Sequence, residues 1–300
     1  MAEIARPWHQ VPMLRNFALC ADDYALSPAV SLGIRAALAA GRLSATGAMT
    51  TRPCWPQAAR ELRELDADAD IGLHFNLTLG APLTAMPQLA PGGRLPPIGT
   101  IMRLAALPEA EIRAELDAQL DAFRAEMGRE PDFLDGHQHV HMLAGIRDIV
   151  LRALAARGLA GRLWLRSSAD MPWRILARGA FLPKALGLAW LGRGFAAEAR
   201  GAGFAVNDGF AGFSGFDPAA DYGGQFGRYL AAPGPRHLVM CHPGHVDAEL
   251  AALDPVTATR EQELAFLLSD RFARMLEARG MRLARLSAAP WPEAPPRIPS

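Results

Sequence analysis

Lysine is almost absent: Lys184 is the only one among 31 Lys and Arg, and these are balanced by 31 acidic residues. A chain without net charge has no global field to draw it onto nucleic acid or an anionic membrane. Cysteine is scarce as well. Cys20, Cys54 and Cys241 lie far apart with no C-x-x-C pair, which supports neither a disulfide framework nor a zinc knuckle. Cys20 and Cys241 each end an apolar run and read as buried strand thiols. No uninterrupted apolar stretch reaches the ~18–20 residues of a membrane span. Met1 to Gln10 carries Glu3, Arg6 and His9 without the apolar core of a secretory signal. The expectation is a cytoplasmic protein with no transmembrane segment and no nucleic-acid partner.

What is present is enough for a large core. The chain has 300 residues, half of them hydrophobic, and α/β barrels of ~250 residues fold as one unit. Short apolar runs alternate with helical patterns. Phe17–Cys20, Ile71–Phe75, Phe133-Leu134, Leu163–Leu165, Leu238–Met240 and Arg282–Leu286 read as strands. Ser27-Pro28 suits the cap and first position of a helix through Val30, Ile34 and Leu38, ending near Gly41. Ile112, Leu116, Leu120 and Phe123 mark an amphipathic helix over Glu109–Met127, with Gly128 just past its end. Further helices fit Gly145–Arg157 and Arg260–Arg279. This alternation predicts parallel βαβ units in an α/β doubly wound sheet or barrel, where sites form at the carboxyl ends of strands. We expect a single domain over 1–300 with its core about 14–287. Pro82–Thr100 reads as a long loop, 171–232 as an elaboration or lid, and 288–300 as a Pro-rich tail.

Four polar clusters stand directly after apolar runs. They are Asp22-Asp23, His74 within Gly72–Thr78, Asp135-Gly136-His137-Gln138-His139-Val140-His141, and His242-Pro243-Gly244-His245. Six of the eight histidines lie in these clusters. Hydrolytic metal chemistry needs a few neutral imidazoles, a carboxylate and an open position for water. A second carboxylate can take the water's proton, and an imidazole opposite can protonate the leaving nitrogen. Neighbouring Asp22 and Asp23 influence each other's titration, and a cation on one relieves the pair. His137, His139 and His141 alternate, so they share one face if the segment stays extended; residue types alone do not choose among them. Arg166-Ser167-Ser168 also follows a strand, and Arg166 reads as either a substrate contact or an ion-pair partner.

Ala21-Asp22-Asp23-Tyr24-Ala25-Leu26-Ser27-Pro28, Gly72-Leu73-His74-Phe75-Asn76-Leu77-Thr78, the 135–141 cluster and His242-Pro243-Gly244-His245 resemble the YdjC-like carbohydrate deacetylases, including the chitooligosaccharide deacetylases and the hopanoid-biosynthesis branch. The motifs stand in the family's order, and Arg260-Glu261-Gln262-Glu263-Leu264 resembles its Arg-x-x-Glu-Leu helix start. The resemblance implies a deformed (β/α) barrel of the NodB-like type and a single domain. It implies metal ligands at Asp23, His74 and His137, a general base at Asp22 and a general acid at His242. Asp135, His139, Arg166 and His245 are left as substrate-binding or outer-sphere candidates. The implied cofactor is one divalent ion, Mg2+ in this family, although two His and one Asp suit Zn2+ by ligand preference. The implied activity is hydrolysis of an N-acetyl group from an amino sugar, either a chitooligosaccharide or an N-acetylglucosaminyl glycolipid such as a hopanoid, by a possible homodimer. The alternatives are another metal hydrolase such as a phosphoesterase, and a non-catalytic metal-binding protein. One departure stands out: the family's aromatic-Gly step is Tyr24-Ala25 here. If that backbone needs φ > 0, Ala25 carries about 1 kcal/mol or more of strain; if the backbone there is ordinary, alanine costs nothing.

Overall fold

The computed structural model describes residues 14–65 and 68–288. The N-terminal stretch read above for a signal and the proline-rich end beyond 288 lie outside the described residues. Among the described residues there are nine strands: β1 (Arg15–Tyr24), β2 (Ala45–Ala48), β3 (Asp70–Phe75), β4 (Phe133–Gly136), β5 (Trp164–Leu165), β6 (Ala205–Val206), β7 (Phe210–Ala211), β8 (His237–Cys241) and β9 (Met281–Leu283). They join in one sheet of order β6-β5-β4-β3-β2-β1-β8-β7, with β9 beside the start of β1. The neighbouring strands run parallel.

The sheet is curled. Asp22 on β1 and Arg166 just after β5 are four strand spacings apart, about 19 Å in a flat sheet, yet their side chains meet at 2.6 Å. No ladder joins β6 to β7 among the described residues. The gap is spanned by Asn207, whose side-chain amide donates to Ser167 O and Gly209 O, and by Asp208 N–H donating to Arg236 O. The result is an incomplete parallel α/β barrel.

Strand alternation sorts the core into two layers. Phe17, Leu19 and Ala21 of β1, with Val239 and Cys241 of β8, pack in the larger hydrophobic cluster together with the helices. Ala18, Cys20, Leu238 and Met240 point the other way and fill the barrel interior with Phe133, Trp164 and Phe210. Asp22, Gly72 and His74 continue the interior rows by this period of two. Gly72 is needed there, because a Cβ would lie 2.5 Å from the Phe133 ring.

The helices follow their capping chemistry. Ser27 Oγ accepts Val30 N–H at the head of Pro28–Ala39, and Gly128 closes Glu109–Met127 in the left-handed conformation. The helix expected over Arg260–Arg279 is two helices, Ala258–Leu268 and Asp270–Ala278, broken at Ser269 in an extended conformation. The segment 171–232 supplies β6 and β7 to the sheet as well as the helices Pro172–Arg178, Leu182–Leu191, Phe195–Gly201 and Tyr222–Tyr229.

Candidate metal and catalytic site

At the end of β1 the strand stops alternating. Its register against β2 slips between Ala21 and Tyr24, and Asp23 takes φ +69°, a bulge that re-aims one side chain. Asp22 already points inward, and the bulge turns Asp23 to the mouth as well. Both carboxylates are buried. Ala25 follows at φ +67° and is fully buried. The glycine-like position is therefore left-handed, so of the two alternatives the strained one holds, partly offset by burial of the alanine methyl.

Asp23, His74 and His137 bring one donor atom each to within 4.8 Å of one another. Asp23 Oδ1 lies 3.3 Å from His74 Nε2 and 3.0 Å from His137 Nδ1. The other oxygen of Asp23 is 2.7 Å from Arg260 Nη2, which also bridges to Asp254 at 2.8 Å. Burial opposes the Asp23 charge, but Arg260 and then His137 outweigh it and hold the carboxyl well below the usual range. His74 Nδ1 is 2.6 Å from Asp135 Oδ1, its direct partner in the β3–β4 register. This is the carboxylate–imidazole pairing that orients a metal-ligating histidine. Burial disfavours a charged His74, yet Asp135 raises it to about 10; an ion held by His74 would have to displace that proton. Gly47 makes the packing possible, since a Cβ there would sit 3.2 Å from both Asp135 Oδ1 and His74 Nδ1. One carboxylate, two imidazoles and an orienting second carboxylate fit a divalent ion.

A second group of possible ligands, Cys20, Asp22 and Asp135, is filled by protein. Arg166 is fully buried and reaches Asp22 through Nη1 at 2.6 Å and Nη2 at 2.8 Å, and Asp135 Oδ2 at 2.5 Å. Burial works against its charge, but Asp135 and Asp22 more than compensate. Arg166 is thus an ion-pair partner of both Asp22 and Asp135. Burial keeps the Cys20 thiol protonated.

His242 approaches from the other side. Its Nε2 is 4.0 Å from Asp22 Oδ2, its ring meets Phe216 edge-on at 5.4 Å, and its backbone N–H donates to Glu263 Oε2 at 2.6 Å. Burial lowers the imidazole to about 4, with Asp22 and Asp23 opposing. The His242 turn is seated backbone to backbone on the helix Pro28–Ala39. A Cβ on Gly33 would be 2.8 Å from Gly244 Cα, and one on Gly244 would be 3.1 Å from Val30 Cα.

The three histidines of 137–141 do not share a face. The strand ends at Gly136, and Gln138 and His139 turn left-handed at φ +53° and +61° inside a short 3-10 segment. His137 goes to the cluster. His139 shares a hydrogen bond with Ser168 Oγ and packs edge-on to Phe210 and Phe213, where burial holds it well below its usual range. His141 Nε2 meets Arg166 O at 2.7 Å. His245 is exposed, its N–H donating to Ala29 O, and no contact among the described residues brings it to the cluster. Arg260 and Glu263 were quoted from the sequence only as a helix start. Their i, i+3 spacing places them on one helical face, the signal that could have paired them with the mouth.

A parallel α/β barrel whose strand exits gather an Asp-His-His donor set, a separate aspartate and an imidazole defines a candidate hydrolytic metal centre. The sequence profile of the YdjC-like protein family matches residues 16–278, and the chain belongs to that family. A chitooligosaccharide deacetylase of Citrobacter koseri is 33% identical over 272 residues, 90% of this chain and 98% of that protein. One from an Enterobacter species is 40% identical over 144 residues, which is 48% of this chain and 57% of that relative; a Salmonella newport relative of the same name is 40% identical over 152 residues, covering 50% and 60%. These latter matches span under two thirds of the relatives' length. A solved protein from Enterococcus faecalis V583 shares the fold with a TM-score of 0.70 at 22% identity, covering 91% of this chain and 97% of that one.

Proposed function

We propose that this chain is a metal-dependent deacetylase that hydrolyses the N-acetyl group of an amino sugar and releases acetate. The observation that carries the reading is the convergence at one mouth of Asp23, His74 and His137 with Asp22 and His242, whose facing atoms are 4.0 Å apart. The relatives named chitooligosaccharide deacetylase support it. Asp23, His74 and His137 would hold a divalent ion, Mg2+ by family resemblance or Zn2+ by donor set. When bound, that ion supplies Lewis-acid polarisation of the acetyl carbonyl and activation of water. Arg166 holds the Asp22 carboxylate by both oxygens, and Asp22 Oδ2, with a lone pair left toward His242, accepts the proton of the attacking water. With its pKa near 4, His242 is neutral at rest. The proton taken by Asp22 passes to His242 Nε2 and from there to the nitrogen as the C–N bond breaks.

The substrate is either a chitooligosaccharide or an N-acetylglucosaminyl glycolipid such as a hopanoid. A phosphoesterase would call for a second carboxylate-rich cation site, and the carboxylates nearest to forming one, Asp22 and Asp135, are held by Arg166. A cytoplasmic location and a homodimer, both expected above, belong to the same proposal; fractionation and solution mass test them. The functional test is acetate release from N-acetylglucosamine oligomers. Release should stop with chelator and return with Mg2+ or Zn2+, and Asp22→Asn should lower it by about 10²–10⁴-fold with metal binding retained. Near-full activity of Asp22→Asn with metal bound would sink the base assignment.

A further inference from the structure

The helices Pro172–Arg178 and Leu182–Leu191 form a hairpin with two unlike faces. Inward, Ile175 and Ala185 are buried against Phe210 and Phe213, and Arg178 is buried on Asp170 at 2.7 Å. Outward, Met171, Trp173, Leu176, Phe181, Leu186 and Trp190 are all exposed. Trp173 is 57% and Trp190 68% exposed, whereas the other tryptophans among the described residues, Trp55 and Trp164, are buried. Leaving this apolar area in water is unfavourable in a free monomer, and such patches mark interaction surfaces.

Along this stretch of chain the charge has one sign. From Met171 to Ala197 there is no Asp or Glu, while Arg174, Arg178, Lys184 and Arg193 are present. Arg174 and Arg178 are taken up by Asp170. Lys184 and Arg193 are exposed, and neither meets a carboxylate among the described residues. Two exposed Trp side chains with Leu, Phe and bases free of carboxylates suit the headgroup level of a bilayer, where the indole is apolar in body and polar at its N–H. The hairpin helices are too short to span, and no helix among the described residues is long and apolar enough to cross a membrane. The face also lies next to the mouth: Lys184 Nζ is 5.6 Å from the Phe216 ring, and Phe216 abuts His242.

We propose that the hairpin Pro172–Leu191 is an interfacial docking element that lies on an anionic lipid bilayer and holds the catalytic mouth at its surface. The neutral total charge does not oppose this, because the attraction is local and short in range. One consequence rests on the deacetylase reading: the preferred amino sugar is one carried on a lipid anchor and presented at the headgroup plane.

The test is co-sedimentation of the full chain with phosphatidylcholine vesicles, with and without phosphatidylglycerol, alongside acetate release from a soluble N-acetylglucosamine oligomer. The expected result is binding to the phosphatidylglycerol vesicles that falls about tenfold or more in Trp173→Ala/Trp190→Ala, with release from the soluble oligomer unchanged. Binding by the double variant at the wild-type level overturns the proposal, as does wild-type protein remaining unbound by both vesicles. A concentration-dependent dimer dissolved by the same substitutions, without vesicle binding, overturns it in favour of a second copy of the chain. Vesicle binding without acetate release from any substrate leaves the docking element standing and removes the deacetylase reading instead.

Discussion

Replacing Arg166 with Met should be among the most damaging single changes to the site, even though Arg166 touches no solvent. The guanidinium is the cation shared by Asp22 and Asp135, at 2.5 to 2.8 Å. A methionine of similar length fills the volume but leaves two buried carboxylates facing each other. A charge pair about 4 Å apart at an effective dielectric of about 20 is worth about 4 kcal/mol. Removing one partner of a buried pair typically costs ~3–5 kcal/mol. We therefore expect Arg166→Met to lose about 3–5 kcal/mol of unfolding free energy at pH 8 in urea denaturation. The loss should shrink toward acid. Burial pushes the Asp135 carboxyl up, but Arg166 first and then His74 outweigh it and hold the carboxyl below its usual range; removing Arg166 takes away the larger of these two pulls. The stability that Arg166 contributes through Asp135 is present above the unfolded carboxyl pKa and is lost as pH falls through the folded one, so the variant and the wild type converge in acid. Arg166→Lys keeps the charge without the fork and should fall between the two, and adding Asp22→Asn to Arg166→Met should recover part of the loss. If Arg166→Met stays within about 0.5 kcal/mol of wild type from pH 5 to 8, the range of ordinary surface substitutions, the ion-pair argument fails.

Two further outcomes follow from the seating of His242. Gly33→Ala puts a methyl 2.8 Å from Gly244 Cα, so it should destabilise by ~1–3 kcal/mol and lower kcat more than it raises KM, as steady-state acetate release can show. Burial raises Glu263 from 4.5 to about 7. Its contribution to stability is therefore complete below about pH 4.5 and is lost as pH climbs through 7, by up to about 3 kcal/mol. Glu263→Gln still accepts the His242 N–H and should lack that decline in melts across pH 4 to 8; a constant difference between the two proteins would count against the titration.

The sequence carried the strand exits because each site residue follows an apolar run, and a parallel sheet gathers such exits at one end. It carried less where geometry departs from period. β2 reads Ala-Thr-Gly-Ala, too small in side chain to register as a strand, because Gly47 must leave space for His74 and Asp135. β6 and β7 are two residues each, too short for any alternation to show. The expectation of one face for His137, His139 and His141 failed on two left-handed residues, Gln138 and His139, whose side chains gave no warning. Arg260 is 237 residues from the carboxylate it holds, a pairing only the fold can reveal. At Ala25 the residue usual at that step raised the question of a positive φ without deciding it, and the backbone is left-handed.

The β1 bulge places the proposed base and a proposed metal ligand on consecutive residues. Their separation is then set by one peptide unit and its dihedrals, a covalent ruler, while the remaining parts of the site arrive on other strands and depend on packing. Sliding or breathing of the sheet would move Asp22 and Asp23 together, so the offset between proton acceptor and cation would survive changes in the loops around the mouth. Anyone transplanting this chemistry to another barrel would have to carry over the left-handed kink at Asp23 together with the two aspartates; the side chains on a regular strand would point to opposite faces.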